Sequence, residues 1–179
     1  MAKFSLIPFN LETAPETLIE SELNTNSESV FVSFRIKKNL HLIELGNATP
    51  AKNRTLNLWE KTCFELFIKN ELDEYVEFNF SPNFQWNCFY FKKPGSPLIE
   101  LESMKMPNLD ILLSSEHFFL FAEIKKDYFP KGFFGNNERL NCGISCVIQD
   151  KSSNNSYWAL IHQDSRPNFH HFDSFKYKF

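Results

Sequence analysis

Val30, Val32, Phe34 and Ile36 fall on alternate positions of one short run, with Phe31, Ser33 and Arg35 between them. A period of two sends successive side chains to opposite faces, which is the geometry of a strand and not of a helix. The pattern returns at Thr62–Lys69, where Phe64, Leu66 and Ile68 share one side and Cys63, Glu65 and Phe67 take the other. It returns again at Glu74–Ser81, where Val76, Phe78 and Phe80 oppose Tyr75, Glu77, Asn79 and Ser81. Turn residues separate these runs, and 85–91 follows after Pro82 and Asn83, so 62–91 reads as a three-strand meander.

Further strands are expected at 98–103, 109–114, 116–125, 140–149 and 157–162. The run 116–125 is almost fully apolar and should lie inside a sheet. Leu40–Leu45 reads as a partner strand after a turn at 37–39, and 150–156 as the turn between the last two strands. Residues 127–137 read as a loop with room for one helical turn, and 46–60 as a polar loop closed by Leu58 and Trp59. Pro15–Leu23 fits a helix or an edge strand equally. About ten short strands spaced about 8 to 12 residues apart, with no long helix, indicate an all-β antiparallel β-sandwich. The 179 residues make one domain, large enough to bury a core without staples. Twenty-one phenylalanines against 5 glycines favour strands in the same way.

A net charge of −3 with no basic stripe argues against nucleic acid as a partner. No stretch reaches the roughly 18 apolar residues of a membrane helix, and the first ten residues lack a signal-peptide core. The expected location is the cytoplasm. None of Cys63, Cys88, Cys142 and Cys146 stands in a Cys-x-x-Cys pair. A strand from 142 to 146 would hold its ends about 13 Å apart, against a limit of about 7 Å for a disulfide. The four are expected to be buried thiols.

If the apolar sets point inward, the opposite faces carry Arg35, Glu65, Glu77, Asn79 and Glu123 among aromatic rings. Carboxylates and amides pair with hydroxyls, and flat rings support a pyranose, so a small polar ligand such as a sugar suits this face. Glu65, Glu77 and Asn79 are the candidates for hydroxyls and Arg35 for charge balance. Trp59 or Trp86 would be a stacking platform, unless the tryptophans plug the core. Glu123 and His162 complete the candidate set. One face of an antiparallel sheet is often polar in any case, and each single residue has that plainer reading.

Leu58–Phe67 (LWEKTCFELF), Tyr75–Pro82 (YVEFNFSP) and Trp86 resemble the signature of bacterial DOMON-like domain proteins. Ser156–Leu160 (SYWAL), His162, Pro167–His170 (PNFH) and Phe175 are similar to the closing motif of that family. The two blocks cover about a third of the chain. That family usually carries aspartate where Asn168 stands, so a role that needs a charge there does not carry over to this chain. The resemblance implies an immunoglobulin-like or jelly-roll-like sandwich similar to family 9 carbohydrate-binding modules, within a wider group that binds sugars or haem.

Other readings stay open. Glu65 and Glu77, on adjacent strands and one face, could act as a carboxylate pair in glycoside hydrolysis, although directly paired positions hold their β-carbons only about 5 Å apart. No nucleophile elbow or phosphate loop accompanies them. Haem would need axial ligands such as His162 with Met104 or Met106. A metal could draw on His162, His170, His171 and Asp173, although this tail reads better as a cap through Phe169, Phe172 and Phe175. A protein partner on an edge strand or aromatic patch is also compatible. The sequence specifies no cofactor.

Overall fold

The computed structural model describes residues 2–46, 52–135 and 140–178, apart from the side chain of Phe172. Parts of the expected loops 46–60 and 127–137 therefore lie outside the described residues. In chain order the strands are β1 (Ala2–Ser5), β2 (Ile7–Pro8), β3 (Leu18–Thr25), β4 (Ser29–Lys37), β5 (Cys63–Lys69), β6 (Tyr75–Phe80) and β7 (Trp86–Phe91). They continue with β8 (Ile99–Glu100), β9 (Asn108–Leu113), β10 (His117–Lys125), β11 (Asn141–Gln149), β12 (Asn155–Ala159) and β13 (Tyr177–Lys178). Helical structure among the described residues is confined to short 3₁₀ turns at Leu40–Leu42, Leu58–Glu60, Lys126–Tyr128 and Phe172–Ser174. None is long and apolar enough to cross a membrane.

The strands form two antiparallel sheets. One has the order β1-β3-β4-β10-β9 and the other β2-β12-β11-β5-β6-β7-β8, with β13 on β11. The chain is an all-β antiparallel β-sandwich. The alternating apolar sets meet between the sheets: Val30, Val32, Phe34 and Ile36 of β4 and Phe118, Leu120 and Ile124 of β10 face Phe64, Leu66 and Ile68 of β5. Phe64 bridges the layers, its ring centroid 5.1 Å from Phe34 and 5.2 Å from Phe118. Cys63, Cys88, Cys142 and Cys146 are free and buried.

Three local expectations are corrected. Leu40–Leu45 does not form a strand, because Lys38 and Asn39 both adopt left-handed backbone (φ 70° and 52°) and coil the chain into a 3₁₀ turn. Only Ile43 makes an isolated bridge, to Asp150. Pro15–Leu23 holds neither a helix nor an edge strand: β3 lies between β1 and β4, with Ile19, Ser21 and Leu23 buried. The last long strand stops at Ala159, so Leu160 and His162 lie beyond it.

The two sheets differ in their outer faces. On β4 and β10 burial alternates, leaving Arg35 exposed and Phe31, Phe119, Phe121 and Glu123 half-buried. On β5 and β6 every residue is buried. The chain covers that sheet from outside with the turn at Leu58–Glu60 and with its own tail. A second apolar cluster joins Phe67, Tyr75, Phe89 and Phe91 to Phe175, with Trp59 and Phe169 packed against it. The tail packs down, as its aromatic content predicts.

Gly143 allows the close approach. A β-carbon there would stand 3.3 Å from the Ser174 carbonyl oxygen and 3.4 Å from the Phe175 ring. Valine would add two methyl groups to that contact, and overpacking of this kind costs about 1–3 kcal/mol. Gly143→Val is therefore expected to lift the tail, seen as faster amide hydrogen exchange across 167–178. Unchanged exchange would show that the tail is held by other contacts.

Candidate functional site

Strand register sets the outer face of the covered sheet. Ser145, Glu65, Asn79 and Asn87 form one row across β11, β5, β6 and β7, and Gly143, Phe67, Glu77 and Phe89 form the next. Glu65 and Glu77 are thus diagonal neighbours and not a directly opposed pair, a separation of about 7–8 Å with the β-carbons somewhat closer. They lie on adjacent strands and one face as expected, and the spacing of about 5 Å for directly paired positions does not apply to them. Both are almost fully enclosed, at 3% and 4% exposure.

Each carboxylate has one donor from its own sheet. The Ser145 hydroxyl donates to Glu65 Oε2 at 2.8 Å, and the Asn79 amide donates to Glu77 Oε1 at 2.8 Å. Asn79 in turn accepts from the Cys63 thiol at 3.5 Å. Glu77 Oε2 is buried and meets no donor within hydrogen-bond reach among the described residues. An unpaired buried acceptor is costly, and such groups in a native fold ask for a reason.

The two carboxylates form the floor of a pocket of about 390 Å³. Its walls are Trp59, Leu98, Val147, Tyr157 and the tail segment Pro167–His170. Trp59 stands edge-on to Phe89 at 5.7 Å, and Phe169 packs against Tyr157 at 6.2 Å. His170 enters from the tail among Phe67, Tyr75 and Phe91. Its Nδ1 meets the Tyr75 hydroxyl at 3.0 Å, while Nε2 stops 3.8 Å short of Glu77 Oε2. Asn168 fixes the turn: its amide donates to Asp164 at 2.6 Å and its carbonyl accepts from the His170 backbone at 3.1 Å. An aspartate at 168 would set a second carboxylate against Asp164, so the amide suits this position.

Burial dominates the electrostatics. It pushes the Glu77 carboxyl up to about 7 against the restraint of the Asn79 hydrogen bond. Burial, and then the charge of Glu77, raise Glu65 well above the carboxylate range. The Tyr75 and Cys63 groups are pushed up by burial and by these carboxylates, and burial lowers His170. Chemically the pocket offers buried acceptors on its floor and flat rings on its walls.

Of the residues singled out in the sequence, Glu65, Glu77 and Trp59 line this pocket together, and Asn79 stands behind Glu77 as its donor. Trp86 is a core side chain at 3% exposure, with the Arg54 guanidinium 4.3 Å above its ring. Arg35 lies on the outer face of the other sheet over Phe119, at 5.4 Å, so it balances neither glutamate. Glu123 shares that sheet and accepts from Ser29 at 2.9 Å and Lys125 at 2.7 Å. His162 holds the Ile7 carbonyl at 3.0 Å and packs edge-on to Phe9.

The remaining candidates disperse as well. Met104 is in the core, and His171 turns toward Asp164 at 3.8 Å. No group of three or more histidine, cysteine or acidic side chains is placed to hold a metal among the described residues. The sequence reading missed Leu98, Val147, Tyr157 and Phe169 as pocket walls. Tyr157 shared its strand face with Ala159, the tail's density of aromatic and histidine residues pointed toward Phe169, and no sequence signal marked Leu98 or Val147.

No protein-family profile and no curated protein matches the sequence. Solved structures do share its fold. A Bacteroides uniformis ATCC 8492 protein provisionally named carbohydrate-binding superposes with a TM-score of 0.70 at 14% identity, over 98% of this chain and 84% of that one. A family 9 carbohydrate-binding module from Caldicellulosiruptor kristjanssonii, solved with glucose, gives a TM-score of 0.53 at 10% identity, over 86% of this chain and 72% of the module. The same module type from that organism, solved with cellotriose, gives 0.53 at 10% identity, over 86% and 70%. The chain has the fold of these β-sandwich modules.

Proposed function

We propose that this protein binds a carbohydrate, without chemistry, in the pocket between the covered sheet and the C-terminal tail. The observation that carries the reading is the pairing of two buried carboxylates with an aromatic wall in one cavity, Glu77 having an oxygen that no group among the described residues satisfies. Sugar hydroxyls donate to such acceptors, and a pyranose face packs on a ring such as Trp59. The cavity falls in the range of small-molecule sites. The shared fold with modules solved with glucose and cellotriose supports the same reading.

Membership of the DOMON-like group belongs to this proposal. The segments that carry the resemblance supply Trp59, Glu65 and Glu77 from one block and Tyr157, Asn168, Phe169 and His170 from the other. A cytoplasmic location is part of it too, in keeping with four unpaired thiols.

A panel of mono- and oligosaccharides in a thermal-shift assay tests the proposal. A sugar at about 100 times its Kd adds about 2.7 kcal/mol to the folded state and raises the melting temperature. Trp59→Ala is expected to reduce that rise, each variant being compared with its own unliganded melt. A sugar response that Trp59→Ala leaves intact would place binding elsewhere.

A further inference from the structure

We infer that the ligand of this pocket is an amino sugar with a free ammonium group, held by Glu65 and Glu77. The inference rests on the carbohydrate reading above and narrows it. Its starting point is the sign of the charge available. Two carboxylates line the cavity, and no lysine or arginine does among the described residues. Lys69, one row along the same face from Glu77, is turned to Asp73 at 2.7 Å.

Among the described residues no group on the floor supplies a positive charge that would favour the ionised form of these carboxyls. Ser145 and Asn79 each give a hydrogen bond to one carboxylate but carry no charge. His170 stands on the pocket wall, yet its Nε2 is 3.8 Å from Glu77 Oε2 and burial disfavours its protonated form. Glu77 Oε2 therefore stays without a donor at 4% exposure. Burial favours the protonated form of both carboxyls, which a neutral sugar leaves unchanged and a bound cation reverses. An ammonium group presents three donors and a full positive charge, matching two adjacent acceptors.

The walls agree with the floor. Trp59, Tyr157 and Phe169 border the cavity, and the faces of aromatic rings attract cations, tryptophan most strongly. Aromatic rings with carboxylates and no competing base make up the chemistry of ammonium recognition. The same rings accept the apolar face of a sugar, which is why the two requirements are met by one class of ligand.

Isothermal titration of the full chain with glucosamine, N-acetylglucosamine and glucose near pH ~7 tests this. Glucosamine is expected to bind at least ~10-fold more tightly than glucose, the order of one charge-assisted contact. Acetylation, which removes the charge, should abolish that advantage. In Glu77→Gln and separately in Glu65→Gln, each verified as folded by its melt, the glucosamine-to-glucose ratio should fall toward one. Equal affinity for glucose and glucosamine in the wild type would overturn the ammonium assignment and leave a neutral-sugar site standing. Preference retained in both variants would also overturn it. Binding of none of the three would overturn the assignment and the carbohydrate reading together.

Discussion

Phe64→Ala is expected to lower the unfolding free energy by about 4 kcal/mol, the largest loss of any single truncation considered for this fold. Phe64 is fully enclosed and is the ring through which β5 touches both β4 and β10. Its removal takes away apolar area and leaves a cavity that two facing rings from a different sheet cannot collapse into without shifting strands. Against a total stability of about 5–15 kcal/mol that is a large share, and it should lower the melting temperature by about 10 °C. Urea unfolding should show an earlier midpoint with little change in slope. Phe119→Ala, on the half-buried outer face of the opposite sheet, is the contrast and should cost about 1 kcal/mol or less. Equal losses at the two positions would mean that the sandwich core does not lie where Phe64 sits.

The second large effect is a pH dependence centred on Glu77. Its folded-state pKa is raised from 4.5 to about 7, chiefly by burial. The native state therefore holds a proton that the unfolded chain releases. Stability from this group is fully present below about pH 4.5 and is lost as the pH rises through about 7. A shift of that size corresponds to about 3 kcal/mol.

The titratable groups around Glu77 are Glu65 and Cys63 of β5, Tyr75 of β6, Cys88 of β7 and His170 of the tail. Burial raises the thiols and the phenol and lowers His170, and it shifts Glu65 in the same direction as Glu77. Glu77→Gln keeps an oxygen for Asn79 and cannot ionise. It should raise the melting temperature near pH ~8, change little near pH ~4, and flatten the slope between. A wild-type melting temperature that rises through this window, or a variant with an unchanged slope, would contradict the buried-carboxylate account.

This pH dependence comes from residues whose placement the sequence disclosed only in part. Alternation along β4, β5 and β6 separated inward from outward side chains correctly, because a strand has only two faces and one of them must be apolar. It said nothing about which outward faces belong together. Arg35 and Glu123 alternate like Glu65 and Glu77, yet they stand on the other sheet, a matter of long-range pairing that local pattern does not encode. For the same reason Glu65 and Glu77 were legible as neighbours on one face while their diagonal register was not.

The burial of that face depends on the tail returning over it, more than 80 residues further along the chain than Glu77. Gly143 marks the place of contact, but a glycine within a strand does not announce what approaches it. Local misreadings have local causes. Leu40–Leu45 has the composition of a strand, and two left-handed residues before it turn the chain away. In β3, Ile19 and Leu23 are spaced as on a helix, and their burial beside Ser21 shows that the period of two prevailed.

The three tryptophans provide the most direct test of the central claim, that the pocket beneath the tail is the ligand site. Trp59 borders the pocket, whereas Trp86 and Trp158 are buried in the core, Trp158 donating its indole N–H to Ser156 at 3.0 Å. Each indole N–H gives its own signal in a ¹⁵N-correlated NMR spectrum. Titration with glucosamine and with glucose should move the Trp59 signal in a saturable way and leave those of Trp86 and Trp158 nearly in place. Saturable movement of the core signals with Trp59 unmoved, or no movement of any, would contradict the account.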